Sequence, residues 1–190
     1  MAARRMPSLA ALMRRFRRAK GGIAGIEFAL MFPILLIVIA ASIDLSEALA
    51  ARRKTTYIAS ALAGFLADQN HWTKAEVEDL LTAGNLILAP FETDGLKIVL
   101  SVLEVSADKK VKVAASYAQG TAALSIGSAS PIAISANILT PNVHIVLAQV
   151  DYALATPFST LWPVYAVEDR FEFSAHSVAR PRRSDKITIK

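Results

Sequence analysis

Residues 23–43 read IAGIEFALMFPILLIVIAASI, and from Phe28 to Ile43 they run for sixteen positions without a charge. Adding the residues from Ile23 onward brings the stretch to the roughly 20 apolar residues that a helix needs to cross a bilayer. One side chain interrupts it, Glu27. A carboxylate costs about 3 kcal/mol where it reaches the centre of the hydrocarbon, so a glutamate at this place marks either an interface or a functional position. Pro33 lies inside the same stretch. It has no amide to give to the helical ladder, and a bend within the lipid is expected there.

Upstream of this stretch the character reverses. Residues 1–22 hold seven basic residues, Arg4, Arg5, Arg14, Arg15, Arg17, Arg18 and Lys20, and no acid. The chain as a whole carries a formal net charge of +5 from 21 Lys and Arg against 16 Asp and Glu. Taking the seven away leaves 14 basic residues against 16 acids, so everything after Gly22 sums to −2. The basic character therefore belongs to the leader. Placed directly before an apolar run, such a leader is retained on the cytoplasmic side and attracts anionic head groups. No aromatic platform or base-reading motif accompanies it, so nucleic acid is not an expected partner. On the far flank, Arg52, Arg53 and Lys54 follow only after Asp44 and Glu47, and the bulk of the chain is expected to face away from the cytoplasm.

The composition agrees with one anchor plus one domain. In 190 residues, 54% are hydrophobic and only 19% charged, more apolar than a soluble core of this size requires. There is no cysteine, which removes disulfides, thiolate chemistry and Cys-based metal sites. A cleaved secretory signal is the competing interpretation, and Ala48, Leu49 and Ala50 supply an A-x-A site for it. Such signals carry 7 to 15 apolar residues without an acid, whereas this run is longer and opens on Glu27.

Gly22, Ile23, Ala24, Gly25, Ile26, Glu27 and Phe28, behind a basic leader, resemble the processing motif of type IV prepilins. The longer string AGIEFALMFPILLIVI is similar to the opening of TadE-like minor pseudopilins of the tight-adherence pilus system. The likeness is specific over about residues 20–57. It is weaker, as pattern only, in QVDYALATPF and FEFSAHSVARPR near the end. The resemblance implies cleavage by an inner-membrane aspartyl prepilin peptidase between Gly22 and Ile23. A glycine before the scissile bond has no Cβ to obstruct the protease. It further implies that Glu27, with Phe28 beside it, serves recognition and assembly, the carboxylate neutralising the new amine of a neighbouring subunit. The implied partners are the bilayer, the peptidase, other pilins or pseudopilins and inner-membrane pilus assembly proteins. The implied location is a bacterial inner membrane crossed once, with the N-terminus cytoplasmic and the larger domain periplasmic. A larger relative from the same system, with an added binding domain, is disfavoured by size.

Beyond Asp44 the chain has no Gly or Pro until Gly64, so the membrane helix is expected to continue to about Gln69, roughly 70 Å at 1.5 Å per residue. Thr73 to Glu76 reads as a capping box opening a short helix that ends near Gly84 and Asn85, with Lys74, Glu78 and Asp79 on a solvated face. Strands follow. KIVLSVLEV and KKVKVAASY form a hairpin around Ser106, Ala107 and Asp108, the second placing Val111, Val113, Ala115 and Tyr117 on one face. Residues 118–142 are Gly, Ser, Ala and Pro rich and read as a long loop with one short strand near Ile132. A strand from Val143 to Leu154 turns Val146, Ala148, Val150 and Tyr152 one way. Another from Arg170 to Ala179 does so with Phe171, Phe173 and Ala175, and Pro157, Trp162 and Pro163 interrupt regular structure between them.

The fold class predicted is α+β: a long transmembrane and stalk helix (23–69) packed on a small antiparallel sheet in a head domain (70–180), after a leader (1–22) and before a flexible basic tail (181–190). No catalytic constellation is found. His71, His144 and His176 are scattered, and Ser174 with His176 on one strand face lacks a third, orienting residue. The chain is therefore read as a non-enzymatic subunit with no cofactor, metal or small-molecule substrate. The alternative function is an uncleaved single-pass periplasmic binding or accessory protein.

Overall fold

The computed structural model describes residues 23–158 and 170–190. The leader 1–22, with Gly22, and the loop residues Trp162 and Pro163 lie outside the described residues. The protein is α+β, in the order α1 (Ile23–Asp68), β1 (His71–Trp72), α2 (Lys74–Leu88), β2 (Leu96–Val105), β3 (Val111–Gln119), β4 (His144–Leu154), β5 (Phe171–Ala179) and β6 (Thr188–Ile189). Packing divides the chain into two units at Ile43 and Asp44, and α1 runs through the division.

In the first unit α1 is apolar on every side. Large side chains from Ile26 to Ile39 are exposed without interruption, which leaves no polar face to set against water. A helix that is hydrophobic all round belongs in a protein core or in lipid. Among the described residues no core surrounds this one, and α1 is long and apolar enough to span a membrane. The helix continues through Pro33. The proline ring nevertheless deprives the Ala29 carbonyl of its usual donor four residues on.

In the second unit the same helix becomes one-sided. Asp44, Ala48, Ala51, Thr55, Ile58, Ala59, Leu62, Ala63, Leu66 and Ala67 are buried, a spacing of three and four that draws one stripe along the helix. The alanines let the backbone come close, while Ile58, Leu62 and Leu66 fill the core shared with Ile98, Leu100 and Val102 of β2 and Val146, Ala148 and Val150 of β4. Thr55 is satisfied locally, its hydroxyl donating to the Ala51 carbonyl at 2.9 Å.

The sheet is antiparallel in the order β3-β2-β4-β5. The helix-facing residues of β4 and β5 are those the alternation predicts: Val146, Ala148, Val150 and Tyr152, and Phe171, Phe173 and Ala175. In β3 the expected single face is corrected. A bulge lets Val102 pair with Ala115 and Leu103 with Val113, skipping Ala114. That extra residue sends Ala115 and Tyr117 to the helix side and Val111 and Val113 to the other. The second side is not bare. Leu124, Ile132, Ile134, Ile138 and Leu139, from the loop rich in Gly, Ser, Ala and Pro, cover Leu103, Val105, Val113, Ile145 and Leu147. Ile132 lies in no strand; the loop instead pairs once with β3, Lys112 opposite Ala129.

Two further expectations change. Helix α2 does not stop at Gly84 but continues to Leu88. Gly84 is there for closeness: a Cβ on it would lie 2.5 Å from Ile98 Cδ1 and 3.7 Å from Leu62 Cδ1. The end of α2 is tied down from α1, where Lys54 Nζ donates to the carbonyls of Ile87 at 2.9 Å and Ala89 at 2.6 Å. The second change concerns residues 181–190. In place of a fraying tail they form a strap: β6 pairs in parallel with β1, and Ile187 is buried.

The capping box of α2 is present as predicted. Thr73 Oγ1 accepts from the Glu76 amide at 3.2 Å, and the Glu76 carboxylate accepts from the Thr73 amide at 2.7 Å. The bond from the Thr73 backbone, and then that from its hydroxyl, hold the Glu76 carboxyl below its ordinary range. Thr73→Ala is expected to lower the stability of the head by about 1 kcal/mol, read as a reduced midpoint in thermal or urea unfolding.

Candidate membrane-anchoring and processing site

The residues singled out at the start of the apolar run all fall on the first three turns of α1 or just before it. Ile23 opens the helix, and Gly22 precedes the described residues. Glu27 and Phe28 follow on the second turn, and Pro33 lies inside the helix beyond them. A helical spacing of four brings the rings of Phe28 and Phe32 together, 5.5 Å between centroids and inclined by 35°. Phe28 remains 63% exposed, so the pair makes an aromatic ridge on the outside of the helix.

Glu27 is also exposed, and among the described residues it has no ion-pair or hydrogen-bond partner. Around it stand Ile26, Phe28, Leu30 and Met31, all outward-facing and apolar. A lone carboxylate set among hydrocarbon side chains is costly to place in lipid and gains most from a cation brought to it. Gly25 adds open space two residues away, since nothing lies within 4 Å of where its Cβ would be.

A different chemistry occupies the second unit. A groove of about 500 Å³ is lined by, among others, Glu47 of α1, Glu92 and Asp94 of the α2–β2 connection, Tyr152 of β4 and Arg170. Tyr152 donates its hydroxyl to the Glu92 carbonyl at 2.9 Å. Burial pushes its phenol pKa up, the Glu92 carboxylate adds to this, and Arg170 opposes it. Among the described residues no group of three or more His, Asp or Glu side chains is placed to hold a metal. Ser174 and His176 both lie exposed on β5, opposite Asp151 and Gln149 of β4.

Two charged residues that read as simple flank charges have interior work. Asp44 is only 2% exposed, and its Oδ1 accepts from the Phe158 amide at 3.2 Å. Lys54 closes the end of α2, as described above. Their signal was available in the spacing: Asp44, Ala48, Ala51, Thr55 and Ile58 step by four, three, four and three, which puts Asp44 on the buried stripe. No protein-family model, curated protein or solved structure matches the chain.

Proposed function

We propose that this chain is a minor pseudopilin of the TadE-like kind: a non-enzymatic pilus assembly subunit, cleaved after Gly22 by a prepilin peptidase and held in a bacterial inner membrane by residues 23–43. Its head, residues 44–190, would lie on the periplasmic side and help build an adhesion pilus or a related secretion apparatus. The supporting observation is the placement of Glu27 and Phe28. Both are outward-facing, Glu27 without an ion-pair or hydrogen-bond partner among the described residues and Phe28 stacked only on Phe32 of its own helix, at the mouth of a helix that is apolar all round for the length of a bilayer and then turns one-sided. The seven basic residues before Gly22 favour the orientation, since they would remain in the cytoplasm.

In this function Glu27 meets the amine freed on Ile23 of an incoming subunit, and each charge removes the desolvation cost of the other. The decisive measurement is the N-terminal mass of the protein taken from membranes, with and without the peptidase. A chain starting at Ile23 is expected only when the peptidase is present; an intact Met1 or a start at Ala51 overturns the proposal. Glu27→Ala should insert into the membrane normally yet lose co-purification with the other pilus components by about a hundredfold, the equivalent of roughly 3 kcal/mol for an unpaired buried charge. Unchanged assembly by that variant would remove Glu27 from the mechanism.

The groove beside Tyr152 favours a second function, an uncleaved single-pass periplasmic binding or accessory protein. The same N-terminal mass separates the two.

A further inference from the structure

The strap is joined to the head by backbone hydrogen bonds and, at one point, by an imidazole. Arg182 donates its amide to the Ala67 carbonyl at 2.9 Å, Thr188 to Asn70 at 2.8 Å and Lys190 to Trp72 at 2.9 Å, while the Lys74 amide donates back to Lys190 at 3.1 Å. These bonds hold the end of α1, β1 and the start of α2 together. Between them, Ile187 is 5% exposed and belongs to the main core. Its amide does not join a backbone ladder. It donates to Nδ1 of His144, the first residue of β4, at 3.1 Å, and the His144 amide donates to the Asp185 carbonyl at 2.7 Å.

An imidazole nitrogen accepts only while it carries no proton. With Nδ1 accepting, the neutral ring keeps its hydrogen on Nε2; once both nitrogens are protonated, two N–H donors face each other in a half-buried site. We propose that His144 is an acid-sensitive clasp: its neutral ring fastens the strap through Ile187, and protonation releases residues 182–190 from α1, β1 and α2.

The surroundings set the direction of the response. Burial lowers the His144 pKa below its ordinary 6.5; Glu104, its partner across on β2, pulls it back up, Lys186 in the strap pushes it down, and the Ile187 backbone adds a smaller upward pull that leaves the net direction downward. Charged groups on neighbouring elements include Lys112, opposite Glu104 on β3, Asp185, Arg182, Arg183 and Lys190 in the strap, and Arg180 just beyond β5, which donates to Thr140 at 3.0 Å. With the pKa lowered in the closed form, the fastened state binds fewer protons than the open one. The clasp is therefore complete above pH 6.5 and weakens as the pH falls through and below that value.

Amide hydrogen exchange on the full chain in lipid nanodiscs, corrected for intrinsic rates, tests this. Exchange at Ile187, Thr188 and Lys190 is expected to be at least about tenfold faster at pH 5 than at pH 8, while Leu100 and Val102 of β2 keep their protection. His144→Asn retains an acceptor near the place of Nδ1 and cannot titrate, so its strap should exchange alike at both values. His144→Phe removes the acceptor and should loosen the strap at both. Equal protection of the unaltered strap at both values overturns the clasp, as does the same acid response in His144→Asn or a parallel loss at Leu100 and Val102. The ring titration of His144 followed by NMR in the unaltered protein gives an independent check. Its midpoint must coincide with that of strap exchange, and a separation of the two also refutes the proposal.

Discussion

Leu62→Ala is expected to destabilise the head by about 4 kcal/mol, the largest effect of any single truncation along α1. Leu62 is fully buried, and its Cδ1 sits where α1 crosses the backbone of α2 at Gly84, beside Ile98 of β2. Three elements therefore meet on one side chain. Removing it leaves a cavity that none of them can close, because Gly84 contributes no side chain and the sheet holds Ile98 in place. Phe65→Ala, three residues along the same helix, is the control: Phe65 is larger but 56% exposed, and its loss should change stability by no more than about 0.5 kcal/mol. Thermal unfolding followed by circular dichroism would show the contrast, with a shift of roughly 10 °C or more for the first and almost none for the second. A similar response at both positions would mean that the helix is not packed on the sheet through the stripe described.

Ending the chain at Arg180 should cost the head on the order of 3 kcal/mol. The deletion removes the burial of Ile187, the parallel pairing of β6 with β1, and the hydrogen bonds to Ala67, Asn70 and Trp72. It also uncovers Trp72, whose indole donates to the Leu66 carbonyl at 3.1 Å. Burial of one isoleucine and several backbone hydrogen bonds would amount to more than this in isolation, but ordering the strap offsets a large part. The readout is a lower unfolding midpoint together with faster proteolysis at the end of α1. An unchanged midpoint would show that the strap contributes nothing to stability.

What the residue pattern made legible follows the strength of its periodicity. The long helix, its apolar half, the capping box at Thr73 and the helix-facing sides of β4 and β5 were all readable, because each rests on a local rule repeated over several turns or strand pairs. The errors come where a non-local contact overrides the local rule. Gly84 carries the usual signal of a helix end, yet it serves the crossing with Ile98 and Leu62. The alternation in β3 is continuous in sequence, but pairing with β2 inserts a bulge at Ala114 and exchanges the faces. The residues from Pro181 to Lys190 look soluble and loose because their partners, Ala67, Asn70, Trp72 and His144, lie 40 or more positions away. The isoleucines at 132, 134 and 138 are spaced by small residues, and only the second face of the sheet gives them a purpose. At the candidate processing site the structure adds only the helical setting of Glu27, Phe28 and Pro33 and the contact of Phe28 with Phe32.

The change of character in α1 at Asp44 implies two different rules of replacement within one continuous helix. Ahead of that point, where the large side chains from Ile26 to Ile39 are exposed among the described residues, an exchange of Leu for Ile or Val should leave the stability of the head unchanged. Past it, volume governs: enlarging Ala51, Ala59 or Ala63 should be as harmful as shrinking Ile58, because a close-packed seam rejects both. It also follows that a polypeptide beginning at Asp44 would retain every side chain of both cores, and so should fold in water without its lipid-compatible half.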